Sequence, residues 1–161
     1  MITIGLDMMG GDYAPLEAVK GVAAFFAENK EDVQLILIGD EEKIKAEIAA
    51  NHLPEARYKI VHAPQVIEMH EHPTKALKEK QQSSIAVGFH LLSTGKTDAF
   101  ISAGNTGALF AIAHYVLKTL PSVERPALIS SLPTHEENQR VFMLDLGANI
   151  FCDANVLYQF G

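Results

Sequence analysis

The sequence predicts an α/β fold of three layers, α/β/α, with a mainly parallel sheet in the middle. Three observations carry this. Short apolar runs rich in β-branched residues alternate four times with longer amphipathic segments, the pattern of strands joined by crossover helices. The run VQLILIGD at 33–40 is apolar without alternation, as a strand covered on both faces must be. Composition also permits a core, because the 161 residues are 48% apolar and 20% charged, unlike a disordered chain.

The elements follow in order. ITIGLD (2–7) is the first strand. APLEAVKGVAAFFAEN (14–29) is a helix with Pro15 near its first turn, where a missing N–H costs nothing. VQLILIGD is the second strand. EEKIKAEIAA (41–50) is a helix whose acidic first turn suits the positive end of its dipole. YKIVHA (58–63) is the third strand. From Pro73 to about Leu92 the pattern is helical, with a break expected near Ser83-Ser84, and Ile85, Phe89 and Leu92 share a core-facing side. DAFISA (98–103) is the fourth strand and 105–119 the next helix. PALISSL (126–132) and VFMLDLG (141–147) are two further strands, joined by the polar turn PTHEENQ.

Two segments point beyond a self-contained domain. The helix GALFAIAHYVLKTL is apolar almost all the way round, so it expects a cover from another chain or from further sequence. ANVLYQFG at the end reads as the beginning of a new amphipathic helix. Residues 1–161 therefore read as an unfinished chain.

Bulk properties narrow the function. A net charge of −7 argues against nucleic acid, which needs a basic face. No apolar run reaches the roughly 18–20 residues of a membrane span, and the chain enters its first strand without a basic leader, so a cytoplasmic location is expected. Cys152 is the single cysteine; it cannot form an internal disulfide and is expected to be an incidental thiol in a reducing compartment.

Ligands in open α/β sheets bind beyond the carboxyl ends of strands, so the loops there are informative. DMMGGDYAP (7–15) places Gly10 and Gly11 between Asp7 and Asp12, either a phosphate or metal loop or a tight turn with Asp12 capping the next helix. SAGNTG (102–107) sets Asn105 or Thr106 to cap a helix whose first-turn N–H groups form an anion site, with Gly104 and Gly107 admitting a ligand to the backbone. DLGAN (145–149) brings Asp145 and Asn149 to a third strand end. PTKALKEKQQSS (73–84) offers Lys75, Lys78 and Lys80 and then Ser83 and Ser84, either a solvated face or part of an anion site. His70, Glu71 and His72 lack the further, fixed-spacing ligands of a zinc site, so no metal is expected. No dinucleotide or Walker A pattern occurs, and no cofactor is expected.

Taken together, DMMGGDYAP, VQLILIGDEEKI, IVHAPQVIEM, PTKALKEKQQSS, DAFISAGNTGAL, RPALISSLPT and LDLGAN resemble one family, the bacterial phosphate acyltransferases of phospholipid synthesis (the PlsX family). The matching segments run in order from Asp7 to Asn149. The family usually has alanine where Met8 stands, a second lysine where Gln81 stands and methionine at Ile85. Its members are about twice as long, so the resemblance implies that residues 1–161 are the N-terminal portion of a single α/β domain whose C-terminal half is absent. The resemblance implies a fold like that of isocitrate and isopropylmalate dehydrogenases and of phosphotransacetylase, and a homodimer. It implies transfer of an acyl group from acyl-[acyl-carrier-protein] to inorganic phosphate, within fatty acid and phospholipid metabolism. Acyl carrier protein and phosphate are then the partners, and any membrane contact is expected to be peripheral. Related enzymes acting on acyl-coenzyme A share this architecture, and a non-catalytic fragment that only folds or dimerises is the other alternative.

That chemistry needs phosphate held near a thioester carbonyl and donors for the developing oxyanion. Asn105 and Lys80 are the expected catalytic groups. Gly10, Gly11, Ser83, Ser84, Gly104, Thr106, Gly107 and Asn149 are the expected substrate-binding residues. The N–H groups at 104–107 suit either anion. The acids Asp7, Asp12 and Asp145 are expected to orient donors, since a carboxylate touching phosphate is repulsive.

Overall fold

Four strands, β1 (Ile2–Asp7), β2 (Val33–Gly39), β3 (Tyr58–His62) and β4 (Ala99–Ile101), form one parallel sheet in the order β3-β2-β1-β4. The computed structural model describes residues 1–28, 32–54, 57–136, 138–149 and 151–160. The chain divides into two units, Met1–Leu117 and Lys118–Gly161, and this sheet belongs to the first. β1 and β2 run in register from Ile2 opposite Val33 to Asp7 opposite Ile38.

Helices cover both faces because β2 alternates its side chains between two apolar layers. Leu35 and Leu37 join Val19, Val22 and Phe26 of α1 (Leu16–Glu28) and Ile44 and Ile48 of α2 (Glu41–Asn51). Ile36 and Ile38 turn the other way, toward Val87 and Leu91 of α4 (Ser84–Ser93). The first unit is thus the three-layer α/β/α arrangement. Gly88 on α4 is a packing glycine: a Cβ there would lie 2.1 Å from the Phe100 ring.

Between β3 and β4 the helical stretch splits into α3 (Pro73–Glu79) and α4. The expected break has a backbone cause. The Gln65 N–H donates to the Gln82 carbonyl, and the Ser84 N–H donates to the Gln65 carbonyl. Residues 80–83 are thereby held against the β3–α3 loop. The Ser83 hydroxyl then caps α4, accepting from the Ala86 N–H.

α5 (Thr106–Leu117) packs through Ala108 and Ile112 against Ile85 and Phe89 of α4. Its other side, with Tyr115, Val116 and Leu117, is exposed. It ends two residues earlier than expected, where Lys118 takes a φ of 62°. Asn29, the expected last residue of the first helix, and Gly161 lie outside the described residues.

The second unit holds β5 (Ile129–Pro133) and β6 (Arg140–Leu144), an antiparallel pair, and α6 (Ala154–Phe160). β6 stops short of the expected residue 147 because Asp145 turns to a φ of 58°. No described helix is long and apolar enough to cross a membrane.

Candidate active site

In the order β3-β2-β1-β4 the chain leaves β1 toward β2 on one side, while β4 lies on the other. The crevice between β1 and β4 is therefore the topological switch point, where open α/β sheets bind ligands. The loops after these two strands meet there. Asp7, at the end of β1, is 3% exposed. Its Oδ1 accepts the Met9 N–H at 2.9 Å, and its Oδ2 accepts the Ser102 hydroxyl at 2.6 Å. Ser102 Oγ in turn accepts the Gly104 N–H at 3.0 Å. A buried carboxylate is tolerable when donors surround it in this way.

The glycines have a packing reason. A Cβ on Gly10 would lie 2.6 Å from the Gly104 nitrogen and 2.7 Å from Asp7 Oδ2. One on Gly107 would lie 2.7 Å from Pro73 Cγ. A side chain at either position would therefore meet the protein's own atoms, while Gly10 lines a groove beside α1 and Gly107 is exposed. Gly104 is buried against Ile85, Ser102 and Asp7, and Gly11 adopts a φ of 97°, which favours glycine.

Asn105 is buried and joins two loops. Its Oδ1 caps α5 by accepting the Ala108 N–H at 2.9 Å. Its Nδ2 donates to the carbonyls of Glu68, Met69 and Glu71 at 3.1–3.2 Å. Its two amide hydrogens thus face three backbone carbonyls and clamp residues 68–71. Lys80 grips the same segment. Its Nζ donates to the Val66 carbonyl and to Glu71 Oε2, both at 2.6 Å. The Lys80 bond, helped by the Glu68 N–H, holds the Glu71 carboxyl below its ordinary 4.5. Lys80 is thus committed to a carboxylate here, not presented to an outside anion.

Ser83 and Ser84 are 0% and 2% exposed, so neither faces solvent; Ser83 serves as the α4 cap. Lys75 pairs loosely with Glu79 at 3.9 Å on the open face of α3, where such pairs contribute little. What faces outward at the switch point is the first turn of α5, exposed at Thr106 and Gly107, with unpaired helix-start N–H geometry and the positive end of the dipole.

Asn149 belongs to the second unit. It donates through its backbone N–H and its Nδ2 to Asp145 Oδ1 at 3.1 and 3.0 Å, and through Nδ2 to the Pro126 carbonyl. Burial pushes the Asp145 carboxyl upward, yet these donors hold it below its ordinary value. Cys152 donates to Asp145 Oδ2; burial first, then that bond, pushes its thiol up, which disfavours the thiolate.

Sequence reasoning left two features out. Ser102 opens SAGNTG, and its position as the first polar residue after a strand was the available signal. The other is a groove of about 540 Å³ along α1 and β1, walled by Leu6, Val22, Phe25 and Ile101 and ending at Asp7 and Gly10. No sequence period marks it.

The family described as "Fatty acid synthesis protein" matches residues 2–161. Proteins named phosphate acyltransferase are similar over nearly the whole chain. One from Colwellia psychrerythraea is 47% identical over 99% of this chain and 47% of its own length. One from Dictyoglomus turgidum is 45% identical over 98% and 46%. Among solved structures, the EutD phosphotransacetylase from Staphylococcus aureus matches with a TM-score of 0.64 at 20% identity, covering 99% of this chain and 50% of that one. A phosphotransacetylase from Streptococcus pyogenes matches at 0.60 and 17% identity, covering 88% and 46%. These two likenesses establish the fold. The chain spans about half the length of the curated relatives it matches. Over that span, the chain belongs to the fatty acid synthesis protein family.

Proposed function

We propose that this chain supplies the phosphate-binding part of a phosphate acyltransferase that makes acyl phosphate from acyl-[acyl-carrier-protein] and inorganic phosphate. The observation that carries the reading is the exposed first turn of α5, Thr106 and Gly107, standing at the β1/β4 switch point. Relatives named phosphate acyltransferase, at 44–47% identity, supply the reaction class.

In this reading a phosphate oxygen attacks the thioester carbonyl carbon, the carbon–sulfur bond breaks, and the carrier leaves as its thiolate. Phosphate is itself the nucleophile, so no enzyme nucleophile is needed. The α5 N–H groups hold an anion, either phosphate or the carbonyl oxygen as it becomes negative. Asn105 and Lys80 act by position: they fix residues 66–71 beside that turn. Asp7, Ser102, Gly10 and Gly104 lock the two loops together. Gly11 shapes the β1 loop, Ser83 and Ser84 seat α4, and Asn149 orders the loop after β6. We further propose a cytoplasmic homodimer that serves phospholipid synthesis, meets acidic carrier protein through a local basic patch, and touches membranes only peripherally.

Titrating the chain with inorganic phosphate tests the site. Amide resonances of Thr106 and Gly107 should shift most, and shifts spread evenly over the surface would sink the assignment. In a full-length relative, Asn105→Ala at the matching position should lower acyl phosphate formation by about tenfold or more, the order expected when a reacting loop is mispositioned. Offering carrier-linked and coenzyme-A-linked acyl donors side by side, with acyl phosphate trapped as the hydroxamate, identifies the donor. Faster reaction of the coenzyme A thioester would replace the carrier protein in this proposal.

A further inference from the structure

We propose that Asp7 and Ser102 are positioning residues for the anion-binding turn of α5. The buried carboxylate fixes the direction of the Ser102 hydroxyl, and the hydroxyl holds the Gly104 N–H, leaving the exposed amides of Thr106 and Gly107 to meet an anion. This role rests on the phosphate reading above, and it assigns the groups that give the turn its direction.

Both Asp7 oxygens accept, Oδ1 from the Met9 N–H at 2.9 Å and Oδ2 from the Ser102 hydroxyl at 2.6 Å. A carboxylate has no proton to give, so the single Ser102 proton must point at Asp7. That leaves the hydroxyl's lone pairs for the Gly104 N–H, which donates to Oγ at 3.0 Å. The run from Gly104 through Ser102 to Asp7 therefore has one polarity, fixed by the acid. Hydrogen bonds to a charged group at such short range are the strong ones, and this one ties the end of β1 to the loop after β4, 95 residues away. Two glycines make room for the run. A Cβ on Gly10 would lie 2.7 Å from Asp7 Oδ2, and one on Gly104 would lie 3.2 Å from Ser102 Oγ and 3.3 Å from Asp7 Oδ2.

The order from inside to outside suits an anion site. Asp7 is buried, Ser102 is half-buried, and Thr106 and Gly107 are exposed. A carboxylate facing a bound anion repels it; here both oxygens are turned to donors of the protein itself. Without the acid, the serine behaves differently. Its hydroxyl rotates and turns its proton to any nearby acceptor, and the Gly104 N–H then has no assured partner. Gly104 stands two residues before the start of α5, so the direction of its N–H sets how the chain enters the helix. That entry fixes where the first-turn amides point, and an anion is held only when they point at it.

The test titrates inorganic phosphate into the 161-residue chain and its variants. Thr106 and Gly107 amide shifts give the affinity, and the Gly104 amide proton reports its hydrogen bond. Ser102→Ala should weaken phosphate binding about tenfold, the worth of one misdirected charge-assisted contact, and should move the Gly104 proton upfield as its acceptor is lost. Ser102→Thr restores the hydroxyl and should return the affinity to within about twofold of the unchanged chain. Asp7→Asn keeps the shape but offers one acceptor oxygen to two donors, so it should weaken binding about threefold to tenfold with the same Gly104 shift. An acid acting through its charge alone gives the opposite sign, because removing a negative charge tightens anion binding. Asp7→Asn combined with Ser102→Ala should bind no worse than Ser102→Ala alone, since both act on one run of bonds. Tighter binding by Asp7→Asn, additive losses in the combined variant, or a loss of stability in urea with phosphate affinity unchanged overturns the proposal. If Ser102→Ala does not fold, the sign of the Asp7→Asn effect decides. Absence of phosphate shifts at Thr106 and Gly107 in the unchanged chain removes the phosphate reading and this role together. Intact binding there with the wrong variant pattern removes only this role.

Discussion

β2 and β6 are written in nearly the same language and live in opposite surroundings. VQLILIG after Gln34 and RVFML after Arg140 are both unbroken apolar runs, the pattern of strands that need cover on two faces. In β2 the need is met: Leu35, Ile36, Leu37 and Ile38 are all under 10% exposed, between β1 and β3 and between helices on either side. In β6, Val141, Phe142, Met143 and Leu144 are 43–63% exposed, and β5 is the strand's partner among the described residues. An apolar run specifies what a strand requires. Only the neighbours decide whether it is supplied.

Three experiments break or sharpen that contrast. The largest effect should come from equal truncations in the two strands. Leu37→Ala should cost about 2–5 kcal/mol of unfolding free energy through loss of burial and a cavity, whereas Phe142→Ala should stay within about 0.5 kcal/mol, as exposed sites do. Urea denaturation followed by circular dichroism measures both, and equal losses would mean that β6 is covered in solution. Next come two helix glycines. Gly88→Ala drives a methyl into the Phe100 ring and should destabilise by about 1–3 kcal/mol. Gly21→Ala meets nothing and should stabilise by about 0.5–1 kcal/mol. The same denaturation series ranks them.

The smallest effect is local and depends on pH. The Glu71 carboxyl is held below its ordinary 4.5 by Lys80, so the folded state binds the proton less readily than the unfolded chain. The resulting stabilisation is fully present above that ordinary value and is lost as pH falls through the depressed one. Hydrogen exchange at residues 66–71 should accelerate over that acid window while β2 stays protected. Glu71→Gln should remove the pH dependence, and a profile unchanged by Glu71→Gln would refute the clamp.

Much of the fold was legible in the residues. The order of strands and helices, the interruption at Ser83-Ser84 and the loops at strand ends all follow from local pattern. The candidate site is placed by the same kind of rule, because the carboxyl ends of parallel strands are where ligands go. The roles of its residues are not set by any such rule. Asn105 and Lys80 were chosen for their chemistry, as a neutral donor and a cation. Their donors are instead used on the backbone of 66–71 and on Glu71, partners 34–37 residues away from Asn105. At Gly10 the close approach of Gly104 leaves no room for a side chain, a constraint that lies between two loops and not along either.

By itself, then, the sequence determined the α/β alternation, the two-sided hydrophobicity of β2 and the family, since each depends on periods and motifs read along the chain. Tertiary structure alone decided which polar groups are already satisfied, which glycines are filled, and where a groove stays open. The physical reason is that hydrogen bonds and close packing are properties of pairs. A residue shows what it can donate, accept or fill, but whether it remains free depends on what the fold brings within about 3 Å of it.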